Sequence, residues 1–465
     1  MTVPGYFYLL SLGCPKNLVD SEWLSGRLMG LGGRPVTDPA KADVIIVNTC
    51  AFIATAAQES IDAILALRRA APEARLVVTG CFPLRYGRTL KKLLPEVTTF
   101  FTSRRMERAD EAVLREIFAG APWVAHVPEP GAGIDRIDRV VSTPFYTAYV
   151  KIADGCNRRC AFCTLPAIRG RYRSRPMGEI AREVTVLAER GAREIILVAQ
   201  DTAAYGRDLG DGTTLAALLR RLSEVPGVSW LKLLYLYPDV KRVTRDLVQV
   251  MTESPAVCPV VDVPVQHAAP GVLKGMRRPG PDAIRRVLDR LREVPGIRLR
   301  TTVMVGFPGE TEEDFRCLLD FIGEQRFYSL GAFAYSDEEG TRAFNYPGKV
   351  PKAEKARRLE ALMARQREIA RRLNGEMVGE VLPVLIEGPH EETDLLLRGR
   401  TAFQFPEIDG CVIINEGTAK VGEIVPVRIT EAGDYDLVGE VKPLRHGVTR
   451  GNMNQKNTDS PDTML

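Results

Sequence analysis

Over the first 120 residues the apolar positions fall into two alternating patterns. Unbroken runs, "YFYLLSLGC", "DVIIVNTC" and "RLVVTGC", read as strands, whereas "NLVDSEWLSGRLMGLG", "AAQESIDAILALRRA" and "RTLKKLLPEV" repeat their apolar residues at helical spacing. Continuous apolar strands separated by helices predict an open parallel sheet covered on both faces, an α/β domain over residues 1–125. The stretch "VPEPGAGIDRIDRVVSTP" is rich in Pro and Gly and predicts a linker.

A second alternation fills residues 140–374, with strands expected at 147–153, 194–199, 230–236, 260–265, 299–305 and 329–335 and helical segments between them. Six such units predict a partial (β/α)6 barrel of the TIM type. "PKAEKARRLEALMARQREIARRLNGE" predicts one long charged helix ending at Gly375. Beyond it, short alternating runs and the turns "PEIDG", "NEGTAKVG" and "EAGDYD" predict a small antiparallel β-barrel over 375–445. The polar stretch 446–465 predicts a disordered tail.

Composition narrows the class. A chain of 465 residues with 45% hydrophobic and 26% charged residues is ordinary for folded soluble domains. No run reaches the roughly 18 apolar residues of a membrane span, and the start lacks the pattern of a secretory signal, so a cytoplasmic protein without membrane partners is expected. Nine cysteines in a reducing compartment are candidates for metal ligation or plain burial rather than disulfides. The net charge of +4 is too small on this length to imply nucleic acid.

Six of the nine cysteines form two patterns. Cys14, Cys50 and Cys81 each end one of the first three apolar strands. In an open parallel sheet the carboxyl ends of the strands line one ligand-binding edge, so three strands deliver three thiols to one place. A single cysteine there would read as a buried small hydrophobe. Three at equivalent points favour ligation. Cys156, Cys160 and Cys163, in "DGCNRRCAFCTLPAIRG", follow the first barrel strand at C-x3-C-x2-C spacing with no histidine or fourth cysteine nearby. Structural zinc takes four closed ligands, whereas three thiolates suit an iron–sulfur cluster with one iron left open. Cys258, Cys317 and Cys411 are expected to be buried.

The segment "CNRRCAFC" resembles the signature of the radical S-adenosylmethionine superfamily, and the resemblance extends over about residues 143–335. It implies a 4Fe-4S cluster on Cys156, Cys160 and Cys163, with S-adenosylmethionine on the open iron and Phe162 against the adenine. Three polar strand ends fit the same site: "LVAQDTAAYG" with Gln200, "DVPVQHAAP" with His267, and "VMVGFPGETEEDF", where Gly306 and Gly309 let the backbone approach a ligand. His267 reads equally well as a hydrogen-bonded structural histidine. The basic loop from Arg171 to Arg175 reads either as a contact to a substrate carboxylate or as solvated charge.

Taken in order, the three-cysteine α/β domain, the barrel and the β-barrel resemble the methylthiotransferase family, whose last module is a TRAM domain. "SLGCPKNLVDSE", "DVPVQHAAPGVLKGMRRPG" and "PEIDG" together with "DYDLVG" resemble its branch acting on the β-carbon of an aspartate in small-subunit ribosomal protein twelve. That implies a second 4Fe-4S cluster on Cys14, Cys50 and Cys81 presenting sulfur, an electron donor, and S-adenosylmethionine as source of both radical and methyl group. Charge bears on the substrate: residues 376–440 hold 14 acidic side chains against 4 basic ones. Such a module repels RNA and attracts a basic protein, so tRNA is the less expected partner. The competing readings are a tRNA methylthiotransferase and a non-catalytic iron–sulfur or zinc protein.

Overall fold

In the computed structural model, which describes residues 5–126 and 137–442, the first apolar runs form six parallel strands: β1 (Tyr6–Ser11), β2 (Arg34–Pro35), β3 (Val44–Thr49), β4 (Arg75–Gly80), β5 (Thr99–Ser103) and β6 (Trp123–His126). Their order is β2-β1-β3-β4-β5-β6, so the chain reverses its direction of travel across the sheet between β1 and β3. Register puts the strand ends abreast: Ser11 pairs with Asn48, Asn48 with Thr79, and Thr49 with Gly80. The core between sheet and helices is aliphatic, with Ile45, Val47, Leu76, Val78 and Ile64 buried. The sequence reading covers β1, β3 and β4; the short β2, and β5 and β6 with their polar residues, lack a long apolar run.

The second sheet has the order β14-β13-β12-β11-β10-β7, all parallel, from β7 (Thr147–Lys151), β10 (Glu194–Val198), β11 (Trp230–Leu233), β12 (Val257–Asp262), β13 (Arg298–Val305) and β14 (Ser329–Ala334). A two-residue ribbon, β8 (Ala153–Asp154) with β9 (Arg173–Ser174), brackets the cysteine loop. The six strands fall where the barrel pattern expects them, but β7, β10 and β11 end early and β12 begins three residues earlier. The backbone after β11 and β12 leaves the ladder through residues with positive φ, Tyr235 (+61°) and Gln266 (+73°).

These two sheets belong to one compact unit that ends at Leu373. Buried charge joins them. Arg139 is 1% exposed, its Nε 2.8 Å from Glu22 Oε2 and its Nη1 2.6 Å from Glu183 Oε1, and Arg175 adds a second cation to Glu183. Gly26 allows the approach, because a Cβ there would run into the Asp138 backbone. The expected linker is therefore corrected over 137–144: its Arg139 is a fastening residue, since its buried guanidinium needs both Glu22 and Glu183 and losing either would leave an uncompensated buried charge. The remainder of that stretch lies outside the described residues.

The second unit begins at Asn374. Five strands, β15 (Val381–His390), β16 (Thr393–Thr401), β17 (Val412–Glu416), β18 (Ile424–Ala432) and β19 (Leu437–Val441), close into a barrel in the order β15-β16-β17-β19-β18. It departs from a purely antiparallel module in one pair, β17 with β19, which is parallel. The charged helix runs from Lys352 to Gly375. The tail, expected to be disordered, lies outside the described residues. Among the described residues no helix is long and apolar enough to cross a membrane.

Candidate active site

The first cysteine set is assembled by the strand register. Cys14 stands at the start of the helix Pro15–Gly30, Cys50 follows β3, and Cys81 opens the helix Cys81–Tyr86 directly after β4. The three thiols are electrostatic neighbours: Cys50 feels both Cys81 and Cys14. Gly13 turns at φ +88°, and a Cβ there would lie 2.9 Å from Cys50 Sγ. Gly80 at φ +90° does the same work before Cys81, its missing Cβ leaving room for the Thr49 carbonyl. Asn17 ties the three strand ends together. Its side-chain amide donates to the carbonyls of Leu12 and Thr49, both at 3.0 Å, while its Oδ1 stands 3.8 Å from Cys81 Sγ.

The second set lies in the loop between β8 and the helix Leu165–Arg169. The Cys156 N–H donates to Gly170 O at 3.0 Å, the Cys163 N–H to Cys160 O at 3.2 Å, and the Ala161 N–H to Met276 O at 2.9 Å, so the loop is pinned at both ends and in the middle. Donors and cations point at the sulfurs: the Arg158 N–H is 3.4 Å from Cys156 Sγ, and Arg278 Nη1 is 3.8 Å from Cys160 Sγ. Arg158 and Arg278 both stack on the Tyr237 ring, at 3.9 and 4.1 Å, and Arg158 also pairs with Asp201 and Asp239.

The two sets are close. Thr164, beside Cys163, donates its hydroxyl to the carbonyl of Phe52, two residues past Cys50, at 3.0 Å. Arg169 reaches from the second loop into the first set, its Nη2 3.4 Å from Cys81 Sγ and bonded to Asn17 Oδ1. Its Nη1 binds Asp20 at 2.9 Å and Asp154 at 3.3 Å. Lys151 completes this buried cluster against Asp20, Asp154 and Glu107. Lys16 lies 3.6 Å over the Tyr235 ring, a further bridge between the sheets.

Electrostatics separate the thiols. Burial pushes Cys50 and Cys156 up to about 11 and raises Cys81 and Cys163 as well. Burial also acts upward on Cys14, but Lys16, the Asn17 N–H and Arg169 outweigh it and hold that thiol below its ordinary value. Among the described residues no group of three or more His, Cys, Asp or Glu side chains is arranged around a single metal ion. A cluster asks for something different: its thiolates attach to separate irons and stand wider apart.

The other expected residues are placed as follows. Gln200 Nε2 donates to Asp154 Oδ1 at 2.8 Å, and its Oε1 is buried without a hydrogen-bond partner. Phe162 is half-buried against the cluster of Met276, Phe307 and Tyr335. The space beside Gly306 (φ +74°) is filled by the Lys355 stem, so close packing as well as backbone conformation requires glycine; Gly309 (φ +81°) faces open space. Thr311 and Asp314 form a capping box at the helix Glu312–Gln325. His267 is fully buried, its Nδ1 accepting from the Ala269 N–H at 3.0 Å, and burial lowers it to about 4, so it is a neutral ring. Cys258 and Cys411 are buried, whereas Cys317 is corrected to half-buried at the edge of an apolar cluster. Arg169, Asn17, Lys16 and Arg278 were missed; the signal for Asn17 and Lys16 is a polar residue just past the cysteine that ends the first strand, whereas Arg169, at the end of the helix Leu165–Arg169, carries none.

Comparison with known proteins agrees with this architecture. Family models match residues 6–102 (uncharacterized protein family UPF0004), 150–322 (radical SAM superfamily) and 378–441 (TRAM domain). The ribosomal protein uS12 methylthiotransferase RimO of Geotalea uraniireducens is 45% identical over 94% of this chain and 98% of its own. Its namesake in Geobacter sulfurreducens is 45% identical over 93% and 98%. The solved radical S-adenosylmethionine methyltransferase TsrM of Kitasatospora setae shares the fold at a TM-score of 0.53 and 16% identity, over 72% of this chain and 75% of that one. Fold, cysteine loop and matched regions thus define a radical SAM protein with an N-terminal UPF0004 domain and a C-terminal TRAM barrel. Within that class the chain belongs to the family of ribosomal protein uS12 methylthiotransferases, RimO.

Proposed function

We propose that this chain methylthiolates the β-carbon of an aspartate in ribosomal protein uS12. The observation that carries the reading is the nearness of two three-cysteine sets, linked by Arg169 and by Thr164 to Phe52. In this reading Cys156, Cys160 and Cys163 hold one 4Fe-4S cluster and Cys14, Cys50 and Cys81 a second. The donor chemistry fits: two sets of three thiols, each met by N–H donors or guanidinium groups that offset thiolate charge. When bound, the clusters and S-adenosylmethionine supply the one-electron chemistry that an unactivated C–H bond requires and no side-chain base can provide.

The chain's own residues bind and orient. Gln200 offers a buried acceptor oxygen beside the second set, Phe162 an apolar face for the adenine, and Gly309 an unobstructed backbone. Arg158 and Arg278, clamped on Tyr237, fix the loop that carries Cys156 and Cys160. An external electron donor is required. The acidic balance of residues 376–440 supports a basic protein as substrate over tRNA.

The test is anaerobic reconstitution with S-adenosylmethionine, a reductant and uS12, followed by mass spectrometry of the target peptide. The expected result is one methylthio group on one aspartate. Cys160→Ala abolishes S-adenosylmethionine cleavage, and Cys50→Ala keeps cleavage but yields no methylthio product. Modification of tRNA in place of uS12, or a methylthio product from Cys50→Ala, overturns the reading.

A further inference from the structure

Arg171 and Arg173, in the loop after the second cysteine set, have no part in the site described so far. They wall a recess of about 360 Å³ that borders the site at Arg169 and Asp154, formed where the ends of β5 and β6 meet the segments that follow Cys81 and Cys163. Five arginines line it: Arg104, Arg105, Arg169, Arg171 and Arg173. Asp154 is the one acid on its wall, and that carboxylate is already engaged by Lys151, Arg169, Gln200 and the Gly155 N–H. Trp123 supplies an apolar side.

Arg169 is held by Asp20 and Asp154 and Arg105 by Glu107, whereas Arg104, Arg171 and Arg173 make no ion pair with the described residues. The Arg105 side chain is 11% exposed, and while its Nε binds Glu107 its Nη2 is buried with no hydrogen-bond partner. Arg104 spends only its Nε, on Ile168 O at 3.2 Å, and lies against Gly170, whose missing Cβ leaves room for the guanidinium. Arg171 and Arg173 are exposed at the mouth. Three guanidinium groups without a carboxylate partner around a half-open recess are the chemistry of a small-anion site, because each offers paired charge-assisted donors. A track for a nucleic-acid backbone spreads its cations over an open surface instead.

Arg169 decides which anion. It forms the inner wall of the recess and at the same time stands 3.4 Å from Cys81 Sγ, so an anion held there is one side chain away from the first cysteine set. The proposed reaction consumes a sulfur atom for each product. Resting on that reading, we infer that the recess is a binding site for a small sulfur-bearing anion, hydrosulfide being the species that brings sulfur toward the Cys14, Cys50 and Cys81 set with no change of oxidation state, and thiosulfate a stable probe of the same site. Binding itself makes and breaks no covalent bond.

The experiment titrates the cluster-loaded, full-length protein with thiosulfate, sulfate and a short RNA duplex, in wild type and in the double variant Arg171→Ala, Arg173→Ala. Both residues are exposed, so the variant keeps the fold. Saturable thiosulfate binding that weakens about tenfold in the variant is expected, the cost of lost charge-assisted bonds. The sulfide concentration for half-maximal methylthiolation rises by a similar factor, while S-adenosylmethionine cleavage is unchanged. Wild-type thiosulfate binding in the variant overturns the inference. So does loss of RNA binding alone, or equal sulfate binding with an unchanged sulfide requirement, which marks an adventitious ion only. Failure of the proposed function reads differently, as the absence of any methylthio product in the wild type.

Discussion

At the scale of single residues, the buried charges behind the cysteines are the sensitive points. Arg169 neutralises Asp20 and Asp154 and reaches Cys81 Sγ, all inside the unit. Removing one partner from a buried ion cluster leaves an uncompensated charge, so Arg169→Met is expected to destabilise the protein by about 3 kcal/mol in denaturant titrations. Arg169→Lys does not restore it, because a single ammonium cannot reach Asp20, Asp154 and Asn17 at once. Acid should act at two buried groups. Burial alone would raise Glu107, but Lys151, Arg105 and Arg175 hold it at about 2 against an ordinary 4.5, so its stabilisation is present above pH 4.5 and is lost as the pH falls toward 2. His267, lowered by burial to about 4 from 6.5, favours the fold above pH 6.5 and loses that contribution on the way down to 4. The denaturant midpoint, measured between pH 7 and 3, should therefore fall steadily rather than stay level; a flat profile contradicts both assignments.

At the scale of elements, the strand ends do the positioning. Gly80→Ala puts a Cβ 2.5 Å from the Thr49 carbonyl at a φ of +90°, and is expected to cost at least about 2 kcal/mol and to displace Cys81, read as a lower melting temperature and lost iron. Much of this was legible beforehand. Unbroken apolar runs ending in Cys14, Cys50 and Cys81 told both the parallel sheet and its functional edge, because register and strand polarity follow from the pattern. The Thr311 capping box was legible for the same reason, being local. What lay hidden depends on tertiary approach. Arg139 sits in a stretch that reads as a linker, yet it is buried between Glu22 and Glu183 of different elements. Arg169 looks like any helix-end arginine until the fold brings Asn17 and Cys81 to it.

At the scale of the whole molecule, the chain forms two compact units with opposite electrical character. Residues 376–440 carry a balance of −10 in a chain of net charge +4, so the remainder is strongly positive. Both cysteine sets belong to the first unit, where they stand at the carboxyl ends of parallel sheets joined by buried ion pairs. That the six cysteines form two separate ligand sets is tested most directly by counting iron and acid-labile sulfide per chain after anaerobic reconstitution. About eight of each are expected in the wild type and about four in either Cys50→Ala or Cys156→Ala, as two independent 4Fe-4S sites require. About four in the wild type, with no loss on Cys50→Ala, would contradict it.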